Sequence, residues 1–246
     1  MSAKKPLVLC LSDRRHAACP LLPPSKAYDC SALHAAPESV VPLARRLMPD
    51  VLLLEAASAQ IIPRLSPFAD FSPYFPFLFV VPEDLVSVYA AVFPPNRIFS
   101  APTSPEALSP TVHALISAYP APVRCLNAAV SRFLLSLSIY PKHMGFTYLK
   151  DAILILLMCP EAASGATTRL YSLIAFCHQA TNRQVEHDIR TALDAAERTD
   201  PFSAFLRPFV GASAGPGACR PHISNGAFVA LAAEWLRFRS AAETEG

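Results

Sequence analysis

The chain has 246 residues, 52% of them hydrophobic and 16% charged, with a formal net charge of +2. That length suggests two domains of ordinary size, and the apolar share supports a sizeable core and excludes wholesale disorder. Residues 1–119 carry nine basic and nine acidic groups and residues 120–246 carry twelve and ten, a thin electrostatic footprint for strong nucleic-acid binding.

The seven cysteines, at 10, 19, 30, 125, 159, 177 and 219, contain no CxxC pair. Cys177 and His178 are adjacent, but no second ligand pair stands at zinc-finger spacing. Reduced thiols packed as small hydrophobes are therefore expected, with no bound metal and no cofactor. The apolar run at 7–11 is too brief for a signal segment, and AILILLM at 152–158 is far below membrane-spanning length. A soluble, cytoplasmic protein with no membrane partner is the expectation.

Seventeen of the 25 prolines lie in residues 1–119 and divide that half into short elements. Residues 7–11, 51–54, 77–81 and 98–99 are apolar runs bounded by Pro, Asp, Asn or Ser, as strands buried on both faces of a parallel sheet would be. Helical spacing or start signals occupy 40–48, 85–93 and 105–119. Ser104-Pro105-Glu106 is a strong start, with an N-cap, a proline at the first helical position and an acid in the first turn. Alternation of this kind predicts an open α/β sheet. The proline-rich stretch 20–37 fits it worst.

PDVLLLEAAS (49–58), PFLFVVPED (76–84) and RIFSAPTSPEAL (97–108) resemble the third, fourth and fifth strands of a response-regulator receiver domain. The resemblance implies a flavodoxin-like α/β domain with a parallel sheet over residues 1–119. In that family the third strand ends on the aspartate that takes a phosphoryl group, the fourth on Ser or Thr, and the fifth on Lys-Pro. Here those positions read Glu55, Val81 and Ala101-Pro102, and the acidic pair that helps hold Mg²⁺ reads Asp13-Arg14.

Each departure removes chemistry. The Glu55 carboxylate sits one methylene too far out, Val81 has no hydroxyl, Ala101 has no ammonium, and Arg14 puts positive charge where an oxygen-rich cation site is needed. Asp13, Arg14, Glu55, Val81 and Ala101 therefore read as a degenerate acceptor site in a pseudo-receiver. Two readings of Glu55 stand: a permanent imitation of a charged phospho-aspartate, paired with Arg14, or a carboxylate merely tolerated at a strand end.

Pro120-Ala121-Pro122 marks a linker, placed at 120–127, and the chain from 128 to 246 reads as helical. Leu126, Val130, Phe133, Leu134 and Leu137 form one stripe, and residues 148–158 are apolar almost all round, as in a central buried helix. Residues 167–197 then read as two helices joined by a tight corner. Thr181 and Gln184 form a capping box at the start of the second helix. Val185, Ile189, Ala192 and Ala196 share one face of it, opposite Arg183, His187 and Arg190. That is the layout of a helix-turn-helix DNA reader, although amphipathic helix pairs of other purpose look the same. A loop rich in Gly, Ser and Pro (209–221) precedes a last helix, capped by Ser224 or Asn225 and carrying Phe228, Leu231, Ala232, Trp235 and Leu236 inward.

IYPKHMGFTYLKDAI (139–153), LYSLIAFCHQATNRQVEHDIRTALDAA (170–196) and RPHISNGAFVALAAEWLR (220–237) resemble the DNA-binding domain of the sporulation stage-zero master response regulator family. The resemblance implies a six-helix bundle whose fourth helix enters the major groove of double-stranded DNA, in tandem or dimeric copies. It carries DNA contacts onto Asn182, Arg183, Gln184, Glu186, His187 and Arg190. The family is richer in arginine there; Gln184 and His187 depart from it, and Asp188 adds an acid. Gln pairs best with adenine whereas Arg grips guanine, so three outcomes stand: an altered target, a retained target, or a lost DNA role.

Other features carry less. His143 reads as a cap or packing residue, Trp235 as core, and the glycine-rich run 211–217 as a loop, since no strand precedes it and no lysine follows for phosphate. His222 near Ser224 lacks a nucleophile elbow and a partner carboxylate, so no enzyme is expected. The expectation is thus a phosphorylation-independent transcription regulator of two-component type, a homodimer through its receiver-like half. The alternative is an interaction module that titrates another regulatory protein without touching DNA.

Overall fold

Among the described residues, five parallel strands organise the first half of the chain. In this computed structural model, residues 5–13, 22, 25–71, 76–118, 121–160, 167–210 and 222–242 are described. Two units divide the chain, Met1–Cys125 and Leu126–Gly246. In the first, β1 (Leu7–Ser12), β2 (Asp29–His34), β3 (Val51–Glu55), β4 (Phe77–Val81) and β5 (Ile98–Ser100) alternate with α1 (Val40–Leu47), α2 (Ile62–Leu65), α3 (Val86–Ala90) and α4 (Pro105–Ser117). The sheet order is β2-β1-β3-β4-β5 and every pair is parallel. This is the doubly wound, flavodoxin-like arrangement.

Position in the sheet explains composition. Strands β1 and β4 are buried throughout and β3 nearly so, hence their unbroken Leu, Val and Phe runs. Strand β2 is exposed along its whole length at the edge, and its sequence DCSALH has no apolar run to announce it. It lies in the stretch whose composition fitted the alternation worst. Helix α4 begins as its start signal predicts, with Ser104 Oγ accepting from the Ala107 N–H at 3.4 Å. Its Leu108, Val112 and Leu115 pack on the sheet face made by Val8, Cys10, Val51, Leu53, Leu78 and Val80. Each such side chain contributes about 1.5–3 kcal/mol on burial.

One buried acid joins distant backbone. Asp50, 2% exposed, precedes β3 and accepts from the Leu7 N–H and the Val123 N–H, both at 2.6 Å. Val123 opens α5 (Val123–Ser136), so helix begins within the segment expected to be linker, with Asp50 as a remote cap for one of its orphan donors.

The second unit continues α5 and adds α6 (Met144–Met158), α7 (Thr167–His178), α8 (Asn182–Ala196), α9 (Asp200–Val210) and α10 (Asn225–Ala242). Leu126, Val130, Phe133, Leu134 and Leu137 of the predicted stripe are all buried. Helix α6 is the central one: Phe146, Tyr148, Leu149, Ala152, Ile153, Leu156 and Leu157 are buried, and it packs on α7, α8 and α10. Trp235 is half-buried, tilted against Phe133 at 4.8 Å and edge-on to Phe205. Helix α9 was not anticipated, although Asp200-Pro201 and the spacing of Phe202, Phe205, Leu206 and Phe209 signal it. The glycine-rich run 211–217 lies outside the described residues. Among the described residues, no helix is long and apolar enough to cross a membrane.

Candidate functional site

The corner between α7 and α8 is built from local chemistry. Helix α7 ends at His178, and Gln179 turns the chain with a left-handed φ of 53°. The Ala180 N–H then returns to the Ala175 carbonyl at 2.9 Å, satisfying one of the helix's orphan acceptors. Immediately afterwards the capping box forms: Thr181 Oγ1 accepts from the Gln184 N–H at 3.2 Å, and Gln184 Oε1 accepts from the Thr181 N–H at 3.3 Å. The Asn182 side-chain amide donates to Ser172 Oγ at 2.8 Å, tying the start of α8 to α7.

The inner face of α8 holds Val185, Ile189, Ala192, Leu193 and Ala196, all buried. Its contact with α6 is unusually close at Gly145, where a Cβ would lie 2.7 Å from the Asp188 carbonyl carbon and 2.8 Å from Ala192 Cβ. On the outer side, Asn182, Arg183, Gln184, Glu186 and His187 are exposed and Asp188 is half-buried. The capping role of the Gln184 carbonyl leaves its NH₂ group as the end that faces outward chemistry.

Arg190 has a different setting. Its Nε donates to Asp194 Oδ1 at 2.6 Å, Nη2 to Glu197 Oε1 at 2.6 Å, and Nη1 to the Ile223 carbonyl at 2.7 Å. The guanidinium therefore ties α8 to the segment that leads into α10. The Asn225 amide reinforces that junction by donating to the Glu186 carbonyl at 3.0 Å. His222 Nδ1 stands 3.5 Å from the same Glu197 oxygen. Asp194, Glu197 and His222 have metal-like proximity, but the Arg190 guanidinium already supplies the cation that the two carboxylates attract.

Of the basic residues on α6 and just before it, Lys142 is exposed and Lys150 half-buried. His143 occupies the N-cap position of α6 without a side-chain capping bond. His222 is exposed, and its partner is the carboxylate of the Arg190 cluster. The pair His178 Nε2 and Asp151 Oδ2, 2.7 Å apart with the His178 side chain only 8% exposed, escaped sequence reading because 27 residues separate the two. Tyr148 sets its ring edge-on to His178 at 4.9 Å, so the pair is packed into the α6–α7 contact.

In the α/β unit, the positions expected to form a degenerate acceptor site gather at the carboxyl ends of the strands. Glu55 ends β3, half-buried, in register with Ser12 and Val80. Val81 is fully buried, and the half-buried Ala101 donates its N–H to the Val81 carbonyl at 2.7 Å. The Ala101–Pro102 peptide is cis. Asp13 has both carboxylate oxygens on the Ala57 N–H, at 3.0 and 2.9 Å. Beside it the buried Tyr89 hydroxyl donates to the Ser58 carbonyl at 2.8 Å, and burial, then the Asp13 charge, push that phenol upward from its ordinary value. Arg14, and with it the expected pairing to Glu55, lies outside the described residues.

Residues 130–235, inside the helical unit and including all of α8, match the family described as sporulation initiation factor Spo0A C terminal. No curated protein matches the chain.

Proposed function

We propose that this chain, whose helical unit is a Spo0A-type C-terminal domain, is a DNA-binding transcription regulator of the sporulation-regulator type. The start of α8 is the reading edge: Asn182, Arg183, Gln184, Glu186 and His187 meet bases or phosphates in the major groove of the duplex. The observation that carries this reading is the exposure of that edge on a helix whose opposite face and N-terminus are fixed by packing and capping. Among the described residues, α8 is also the fourth of six helices in the unit. Arg190 serves as a positioning residue, because its three intramolecular bonds set α8 against the start of α10.

The α/β unit acts as a receiver that accepts no phosphoryl group. The side chains do not suit Mg²⁺ and phosphate: Val81 and Ala101 offer no polar group, and the Asp13 carboxylate is turned onto the Ala57 amide. Input then comes through the amount of protein or a protein partner, and the unit pairs two copies to space their reading helices. The protein works in the cytoplasm and catalyses no reaction.

Selection of bound duplexes from a random pool tests the first claim, followed by a gel shift with Arg183→Ala. Loss of the selected complex supports the reading edge, and unaltered binding removes it. For the second claim, acetyl phosphate with Mg²⁺ leaves the intact mass unchanged; an added phosphate overturns it.

A second reading has one observation in its favour. Of the two arginines on α8, Arg190 is neutralised by Asp194 and Glu197, and the exposed Glu186 and half-buried Asp188 add acid on either side of His187. Duplex phosphates repel such acids. An interaction module that titrates another regulator follows if random-pool selection enriches no sequence.

A further inference from the structure

The α/β unit places two thiols in each other's reach. Cys10 lies on β1 and Cys30 on β2, in the strand pairing that sets Val8 opposite Cys30 and Cys10 opposite Ala32. Alternate residues of a strand share a face, so Val8, Cys10, Cys30 and Ala32 all point to the same side of the sheet. The two sulfurs are 3.6 Å apart. Their surroundings differ: Cys10 is 2% exposed within the sheet core, whereas Cys30 is exposed on the edge strand. An accessible thiol beside a sheltered one is the arrangement by which proteins capture peroxide and then close a disulfide.

We propose that Cys30 and Cys10 form a peroxide-oxidisable pair, with Cys30 the attacking thiol and Cys10 the resolving one. In the first step the Cys30 thiolate attacks one oxygen of hydrogen peroxide. The O–O bond breaks, hydroxide leaves and takes up a proton to become water, and Cys30 becomes a sulfenic acid. In the second step the Cys10 sulfur attacks the Cys30 sulfur. The S–O bond breaks, the Cys10 proton leaves with the hydroxide as a second water, and a disulfide joins β1 to β2. Two thiols are oxidised by two electrons, and one peroxide is reduced to two waters.

Two further features suit the chemistry. The hydrogen bond from Cys10 holds the Cys30 thiol down at about 7, against a smaller upward push from burial, so thiolate is present near neutrality. The neighbouring Tyr28 phenol is pushed upward, by burial first and then by the charges of Cys30 and Cys10. It therefore stays neutral and does not repel the thiolate. Tyr28 is itself held edge-on against His113 at 5.5 Å.

The test uses the full reduced chain, treated with a few equivalents of hydrogen peroxide, alkylated, digested without reductant and mapped by mass. The expected product is a pair of peptides joined through Cys10 and Cys30, two hydrogens lighter, released by dithiothreitol. Cys30→Ser, at an exposed position, abolishes the link, and Cys10→Ser leaves a Cys30 sulfenic acid that dimedone captures. Recovery of both cysteines as alkylated thiols after peroxide overturns the proposal. So does a Cys30 disulfide to any other cysteine or to a second chain. Because Cys10 is buried, a misfolded Cys10→Ser protein is set aside, and the mapping of the native chain and Cys30→Ser decides.

Discussion

Gly145 on α6 and Asp188 on α8 meet backbone to backbone: a Cβ at position 145 would run into the Asp188 carbonyl and lie 2.8 Å from Ala192 Cβ. Two effects oppose each other when that glycine is replaced. Alanine favours helix over glycine by about 1 kcal/mol, whereas overpacking at a site where backbone must move costs about 1–3 kcal/mol or more. The second wins here, since a carbonyl cannot rotate away as a side chain can. Gly145→Ala is expected to lower the unfolding midpoint of the helical unit, measured by denaturant titration. A midpoint equal to or above that of the parent would show that α6 and α8 are not so tightly apposed.

Arg183 and Arg190 share a helix and are expected to fail in opposite ways. Arg190→Ala leaves Glu197, 14% exposed, without its cation and releases the Ile223 carbonyl. Hydrogen bonds to charged groups of this kind are worth about 1.5–3 kcal/mol; partial exposure of the cluster keeps the loss toward the lower end. Arg183→Ala, at an exposed position with no ion pair among the described residues, changes stability by less than about 0.5 kcal/mol. It reduces duplex affinity instead and lowers the salt slope by about one. Paired denaturation and gel-shift measurements separate the two roles.

Asp50 is the polar pin of the α/β unit. Asp50→Asn keeps the shape but turns one acceptor into a donor that faces a backbone N–H. The Leu7 and Val123 amides are 43 and 73 residues away from it in sequence, so no local rearrangement restores both bonds. An unsatisfied buried donor costs about 1–3 kcal/mol. Cooperative unfolding of the sheet, followed by circular dichroism, is expected to shift by that amount; no shift would deny Asp50 its role.

The acidity of Cys30 sets a pH profile. A Cys10 hydrogen bond favours the thiolate, so the thiol loses its proton at lower pH than usual, near 7. Alkylation of Cys30 by iodoacetamide is expected to rise with pH through a midpoint near 7 and level off above it. In Cys10→Ala the donor is removed and the midpoint moves upward, toward the ordinary thiol range of about 8.5. An unchanged midpoint would place the cause elsewhere.

Much of the exposed edge of α8 was legible because its determinants are neighbours in sequence. The capping box needs only Thr181 and Gln184, and the buried face of α8 is a matter of 3.6-residue spacing through Val185, Ile189, Ala192 and Ala196. The same periodicity placed Arg190 on the outer face but could not say what meets it there. Asp194 and Glu197 lie on its own helix and just beyond, yet Ile223 arrives from across the loop that precedes α10. The missed edge strand β2 is the counterpart in the sheet: with one neighbour and no buried face, it required no apolar run.

By itself the sequence determined the strands β1, β3, β4 and β5, the start of α4, the bounds of α8, and the chemical poverty of Val81 and Ala101, because each depends on residue identity or on spacing within a turn or two. Only tertiary structure decided that Asp13 closes on Ala57, that Arg190 is tied to the Ile223 carbonyl, that Gly145 admits α8, and that Cys10 and Cys30 share a face. Those relations join residues far apart along the chain. Chain closure and packing select them, and no local pattern carries their signature.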